Sequence, residues 1–254
     1  MSEYHFFARV YDRMMENIPY EDWEQYILQL LYKYNISPYS KIAELGCGTG
    51  TMTELLSDEG FLVTGIDLSE DMLTEAEAKL RYAKARGIRN RDITYLNQDM
   101  RELSLQEKQS AIISICDSMN YLLSTDDLYR TMKAAKDNLK DDGIFIFDLK
   151  TEYFFQTELD RITFRDDLGD FSYIWKNRYD GESRIHKYGL VFRIRGKDGI
   201  RYEKEVHRQR VFTAAEIKEA AIKAGFSKAV AYDAFTFDKP KIKSDRIYIV
   251  CRQS

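Results

Sequence analysis

Cysteine and histidine are scarce in this chain, three of each among 254 residues. Cys47, Cys116 and Cys251 are odd in number, far apart, and set in or beside apolar segments. That pattern excludes a disulfide framework and a structural zinc site, and fits reduced thiols in a cytoplasmic protein. His5, His186 and His207 form no metal-ligand cluster, so no metal is expected. No apolar run approaches the ~20 residues of a membrane span. The N-terminus has no basic stretch leading into an apolar core, so no signal peptide is read. Net basic charge is also missing: 38 Lys and Arg stand against 42 Asp and Glu, a net charge of −4, which disfavours nonspecific nucleic-acid binding.

What is present is ordinary globular composition, 44% hydrophobic and 31% charged. The length allows one large α/β domain carrying an inserted piece. Residues 1 to 20 are aromatic, with Tyr4, Phe6, Phe7, Tyr11 and Tyr20. They read as a short helix packed on the domain or as a flap over a pocket. Trp23, Tyr26, Ile27, Leu30, Leu31 and Tyr34 then follow helical spacing and define one apolar stripe. Asp22 supports the first turn, and residues 35–40 end the helix at Pro38.

Strands and helices alternate from there. Lys41–Leu45, Phe61–Ile66, Ile93–Leu96, Ala111–Cys116 and Ile144–Phe147 read as five strands. Ser69 is expected to cap the helix of Met72, Leu73, Ala76 and Leu80. Thr125 is expected to cap the helix through Leu128, Met132, Ala135 and Leu139, closed by Gly143. Such alternation predicts a parallel sheet with right-handed crossovers. The period changes near residue 150. Phe171, Tyr173 and Trp175, then Tyr188, Leu190, Phe192 and Ile194, follow a two-residue period. Ile200, Tyr202 and Val206 lie on a third strand. Asp180-Gly181 and residues 196–199 are turn signals. A three-stranded antiparallel insertion is therefore expected over 151–212. Residues 161 to 212 carry 13 Lys or Arg and 8 Asp or Glu. This is either a solvated sheet face or a lid that attracts an anionic substrate. Thr213 and Glu216 form a capping box, and the chain closes with a helix and two strands, Ala229–Tyr232 and Arg246–Cys251.

The stretch from Glu44 to Gly50, E-L-G-C-G-T-G, joins the first strand to a helix. Glycine lets the backbone turn and a ligand approach without a Cβ in the way. A dinucleotide loop needs G-x-G-x-x-G, and here the third glycine is one place early. A carboxylate at Glu44 is unwelcome beside a pyrophosphate but compatible with a cationic ligand such as S-adenosylmethionine. Asp67 ends the second strand, where an acid accepts from both ribose hydroxyls. Met72 would pack on adenine, Asp99 would accept from its amino group beside the Met100 backbone, and Cys116-Asp117 would face the reacting end. All lie where open parallel sheets bind ligands.

These residues resemble the class I S-adenosylmethionine-dependent methyltransferases. Glu44–Gly50 matches the family's first motif, Gly65–Leu73 its second, and Asn97–Met100 its adenine segment. The resemblance implies cofactor contacts from Glu44, Gly46, Cys47, Gly48, Gly50, Asp67, Leu68, Met72, Asp99, Met100, Cys116 and Asp117. It implies a Rossmann-like, seven-stranded, mostly parallel α/β sheet with helices on both faces and its last strand antiparallel. Tyr4–Asp12, Cys116–Leu122 and the insertion resemble bacterial glycine and sugar-amine N-methyltransferases. There, a tyrosine of the N-terminal flap reaches the methionine end of the cofactor, and Tyr11 is the matching position. Enzymes that methylate nucleic-acid amino groups carry an Asn/Asp-Pro-Pro-Tyr run after the fourth strand. None of Pro19, Pro38 and Pro240 lies there.

The expected organisation is a helical flap (1–40), a cofactor domain (41–150 and 213–254) and an inserted lid (151–212). The expected reaction is direct methyl displacement onto a small-molecule N- or O-nucleophile, with S-adenosylhomocysteine as product. An amine need only arrive neutral, whereas a hydroxyl needs a base. Asn120, Tyr121 and His207 are candidate acceptor contacts, and His207 is the candidate base. A strand histidine facing solvent is nevertheless the commoner outcome. A non-catalytic S-adenosylmethionine-binding protein and an NAD-dependent oxidoreductase remain alternatives, and a homodimer is left open.

Overall fold

The computed structural model describes residues 5–87, 92–197 and 199–253. Tyr4 and Asp198 lie outside them. Helices α1 (His5–Met14) and α2 (Tyr20–Lys33) lead into β1 (Lys41–Leu45) and α3 (Thr51–Asp58). Next come β2 (Leu62–Asp67), α4 (Glu70–Ala85), β3 (Ile93–Asn97) and β4 (Gln109–Ser114). Helix α5 (Thr125–Asn138) and β5 (Leu139–Lys150) complete the first half of a seven-stranded sheet. After a short α6 (Glu152–Phe154), four strands form a second sheet: β6 (Thr163–Asp167), β7 (Phe171–Asp180), β8 (Ile185–Gly196) and β9 (Gly199–Arg210). Helix α7 (Ala214–Ala224), β10 (Lys228–Asp233) and β11 (Arg246–Arg252) return to the first sheet.

That sheet has the order β10-β11-β5-β4-β1-β2-β3. Strands β1 to β5 pair in parallel, and β11 is antiparallel to both neighbours. The order reverses beside β1, which opens a crevice at the carboxyl ends of β1 and β4. Successive residues of the central strands serve opposite cores. Ala43, Leu45, Ile112 and Phe147 pack with α5 and α7, while Ile42, Ile113 and Ile146 pack with α2 and α3. Burial on both faces explains why these strands read as continuous apolar runs. The stripe Trp23, Tyr26, Ile27, Leu30 and Leu31 is buried as its spacing predicts.

Local signals are met with two shifts. Ser69 caps α4, and Thr213 with Glu216 forms the capping box of α7. Ser124, not Thr125, caps α5, because its hydroxyl accepts from Asp127 N at 3.0 Å. Gly143 closes no helix; α5 already ends at Asn138, and Gly143 sits inside β5. The inserted sheet has one strand more than the expected three. The extra edge strand β6 is exposed throughout and carries no alternation to betray it. No described helix is long and apolar enough to cross a membrane.

Helix α1 belongs to the second sheet's core. Phe7, Ala8 and Val10 pack with Met72, Phe171, Tyr188, Leu190 and Phe192. Its aromatic face is therefore covered by the inner face of β7 and β8. Its polar side reaches the glycine loop, where Asp12 accepts from Thr49 Oγ1 at 2.5 Å and from Lys79 Nζ at 2.8 Å.

Candidate functional site

The loop after β1 turns on three glycines with positive φ: Gly46 at 71°, Gly48 at 54° and Gly50 at 78°. At Gly46 a side chain is excluded, because a Cβ would stand 2.6 Å from Ser118 Cβ. At Gly48 a Cβ would meet nothing within 4 Å, so the backbone there borders open space. The loop is tied back to β2 at one acid. Asp67 Oδ2 accepts from Gly48 N and Oδ1 from Ser69 N, both at 2.8 Å. Burial raises the Asp67 pKa, and these backbone bonds oppose the rise.

Glu44 is buried at the end of β1, where Thr53 Oγ1 donates to its carboxylate. Burial pushes its pKa up to about 8, helped by nearby Asp67. Cys47 and Cys116 have thiol pKa values raised by burial, which keeps both protonated and chemically quiet. Met72 is buried between α4 and α1, and Leu68 is exposed beside Asp67. Met100 opens the turn after β3, with its Cε 3.6 Å from where a Gly46 Cβ would stand. Tyr11 points inward near Tyr20, Cys116 and Tyr121, and burial raises its pKa.

Three sequence candidates are engaged by the chain itself. Asp99 is expected to contact adenine, yet its carboxylate meets Arg101 at 3.0 Å and 2.5 Å, and Arg101 also reaches Asp127 at 2.9 Å. Cys116 and Asp117 both have positive φ, 60° and 57°, an uncommon conformation for non-glycine residues. The turn aims Asp117 at Arg246 (3.1 Å), Lys150 (3.2 Å) and Gln209 (2.6 Å). Burial alone would raise its pKa, but Lys150 and Arg246 hold it below the usual carboxylate range. Arg246 also pairs with the buried Asp148 and lies 5.0 Å over Trp23. Asn120 is buried. Its amide donates to Lys150 O (3.3 Å) and Arg210 O (2.9 Å) and accepts from Lys150 N (2.9 Å). It pins both ends of the inserted segment.

His207 is the clear reversal. A solvent-facing strand histidine is the commoner outcome, but here the ring is buried. Its ring stacks on Tyr188 at 4.6 Å and 10°. Its Nε2 lies 3.1 Å from Glu205 Oε2 and its Nδ1 3.5 Å from Tyr121 Oη. The exposed face of β9 carries Ile200, Tyr202 and Val206, and the buried face carries Glu205, His207 and Gln209. Strand β9 therefore has its polarity inverted relative to ordinary alternation. That inversion hides Glu205 from a reading by alternation; its position two residues before His207, hence on the same face, is the available signal. Tyr121 and His207, with Leu123, Val206 and Arg208, line a cavity of about 400 Å³.

A doubly wound sheet with a glycine turn after β1 and an acid at the end of β2 defines a nucleoside-cofactor enzyme of the Rossmann-like class. Residues 42–143 match the methyltransferase-domain family. A Geobacillus sp. (strain WCH70) protein, provisionally named a methyltransferase, is 33% identical over 98% of this chain and 99% of its own. A dTDP-3-amino-3,4,6-trideoxy-α-D-glucopyranose N,N-dimethyltransferase of Streptomyces venezuelae is 28% identical over 73% of this chain and 75% of its own. Among solved structures, an S-adenosylmethionine-dependent methyltransferase from Clostridium acetobutylicum ATCC 824 is 26% identical. It superposes with a TM-score of 0.80 over 99% of both chains. The chain belongs to the S-adenosylmethionine-dependent methyltransferases.

Proposed function

We propose that the chain transfers a methyl group to a nitrogen or oxygen of a small-molecule acceptor, by direct in-line displacement in the bacterial cytoplasm. One observation carries this reading. Open backbone at Gly48, the Asp67 carboxylate and the buried Glu44 converge at one sheet edge, roofed by α1 and the second sheet.

The residues present fit the cofactor. Asp67 is held by two backbone N–H groups, and each oxygen keeps a lone pair for a ribose hydroxyl. No Lys or Arg of the described residues forms an ion pair with Glu44, and a cationic ligand end is what a buried carboxyl lacks. Gly46, Cys47, Gly48 and Gly50 would follow the ligand's backbone-facing side. Leu68, Met72 and Met100 would contact its base, and Tyr11 and Cys116 its methionine end. Asp99 and Asp117 would act at one remove, by holding Arg101 and Arg246. When bound, S-adenosylmethionine supplies a methyl group already activated by its sulfonium, so the protein chiefly orients the nucleophile and excludes water. Residues 1–40 serve as the flap that does so, 41–150 and 213–254 as the cofactor domain, and 151–212 as the lid over the acceptor. The cavity volume suits a small molecule, and the Streptomyces relative, a sugar N,N-dimethyltransferase, favours an amine.

Calorimetry with S-adenosylmethionine, S-adenosylhomocysteine and NAD tests the cofactor. Binding of the first two and not the third is expected, and binding of NAD alone would overturn the reading. Transfer of a labelled methyl group into a protein-free metabolite extract then identifies the acceptor.

A further inference from the structure

We infer that Tyr121, His207 and Glu205 form a proton relay that deprotonates the methyl acceptor, with Tyr121 the catalytic residue and His207 and Glu205 positioned behind it. The inference rests on the methyl-transfer reading of this site.

The argument begins with the inverted strand. Strands β7 and β8 turn Phe171, Leu190 and Phe192 inward, as an inner sheet face should. Strand β9 instead buries Glu205, His207 and Gln209 beside them. Burying polar groups costs free energy unless each finds a partner. Gln209 finds Asp117 and helps fix the sheet to β4. Glu205 and His207 find each other, and their line reaches Tyr121. A carboxylate accepts and cannot donate. Glu205 Oε2 at 3.1 Å therefore places the imidazole hydrogen on Nε2. Nδ1 then presents its lone pair toward Tyr121 Oη, 3.5 Å away.

The surroundings fix this line rigidly. Tyr188 lies flat on the imidazole at 4.6 Å, Phe7 of α1 meets its edge at 5.5 Å, and the Tyr188 hydroxyl bonds to that of Tyr121. Glu205 and His207 are nearly inaccessible, whereas Tyr121 is 42% exposed, so Tyr121 carries the relay's contact with the cavity. Tyr121 also stands on the turn after β4, near Tyr11 and Cys116, at the edge where the glycine loop opens.

The step balances without any further reagent. The acceptor's N–H or O–H bond breaks and its electron pair stays on the nitrogen or oxygen, which uses a lone pair to bond the methyl group that bound S-adenosylmethionine would supply, while the pair of the broken carbon–sulfur bond stays on sulfur in S-adenosylhomocysteine. The proton passes to Tyr121 Oη as the phenol's own proton moves to His207 Nδ1. The resulting imidazolium is held by the Glu205 carboxylate. The acceptor class is thus a hydroxyl, or an amine that loses a proton on methylation. Arg208 at the cavity wall offers a cation to any anionic group it carries.

Only three histidines need resolving, which makes the tautomer measurable by long-range ¹H–¹⁵N NMR on the full chain labelled with ¹⁵N-histidine. The His207 signal is assigned by its loss in His207→Asn. Neutral His207 is expected as the Nε2–H tautomer. An Nδ1–H tautomer would leave no lone pair toward Tyr121 and would overturn the relay, whether or not any acceptor is known. In parallel, ¹⁴C-methyl transfer from S-adenosylmethionine into a protein-free bacterial extract is compared for wild type, Tyr121→Phe and Glu205→Gln. Each variant should lose at least ~100-fold in rate, with calorimetric affinity for S-adenosylmethionine within threefold of wild type. Undiminished transfer by Tyr121→Phe would also overturn the relay. Failure of the wild type to bind S-adenosylmethionine would instead sink the methyl-transfer reading and leave the tautomer result standing.

Discussion

Glu44 should couple cofactor binding to proton release. Burial pushes its pKa up to about 8, and among the described residues Thr53 offers the charged form a hydrogen bond. At pH 7 a carboxyl with that pKa is protonated ~90% of the time. An opposite charge within ~4–6 Å lowers such a pKa by roughly 1–3 units. Binding of a cationic ligand at pH 7 should therefore release about 0.4 to 0.9 of a proton. Affinity should rise as pH increases from 6 to 9, by about 8- to 80-fold in total. Titration calorimetry in two pH 7 buffers of different ionisation enthalpy reads the proton directly, and Glu44→Gln should abolish both effects. The free protein carries the opposite dependence. A folded pKa above the unfolded 4.5 contributes stability below that value, which is lost as pH rises through about 8. Glu44→Gln should then match wild type more closely at pH 6 and exceed it at pH 9, by up to about 5 kcal/mol. Equal heats in both buffers together with a flat affinity would refute the placement of Glu44 beside the ligand's cationic end.

Asp67→Ala should weaken S-adenosylmethionine binding by roughly 1.5–3 kcal/mol, through lost hydrogen bonds to a charged acceptor, while circular dichroism stays native; unchanged affinity removes Asp67 from the site. Arg246→Leu strands Asp148 and Asp117 in a buried setting and should cost ~3–5 kcal/mol in urea unfolding. Thr213→Ala removes the cap of α7 and should cost about 1 kcal/mol in the same assay. Asn120→Ala leaves Lys150 and Arg210 backbone groups unmatched. It should expose β9 amides to faster hydrogen exchange while those of β1 and β4 keep wild-type protection.

The large sheet was legible because its strands are buried on both faces and its helices carry caps, features each encoded within a few residues. The glycine loop was legible for the same reason: Gly46, Gly48, Gly50 and Asp67 act through backbone geometry that short spacing reveals. Side-chain allegiance was not. Asp99 pairs with Arg101 only two residues on, but nothing near Asp117 names Arg246, which lies 129 residues away. The small sheet failed where alternation fails. Edge strand β6 is exposed throughout. On β9 the apolar residues face water and the polar ones face inward, so a reading by hydrophobicity assigns His207 to the wrong side.

One amide has an evolutionary consequence. Asn120 touches Lys150 and Arg210, so the inserted segment leaves and rejoins the large sheet within the span of a single side chain. The entropy of closing a loop between fixed ends grows only as about 1.5RT times the logarithm of its length. A joint of this kind is indifferent to what it carries. Strands can be added, lost or exchanged between those two points while the strand order of the large sheet stays as it is.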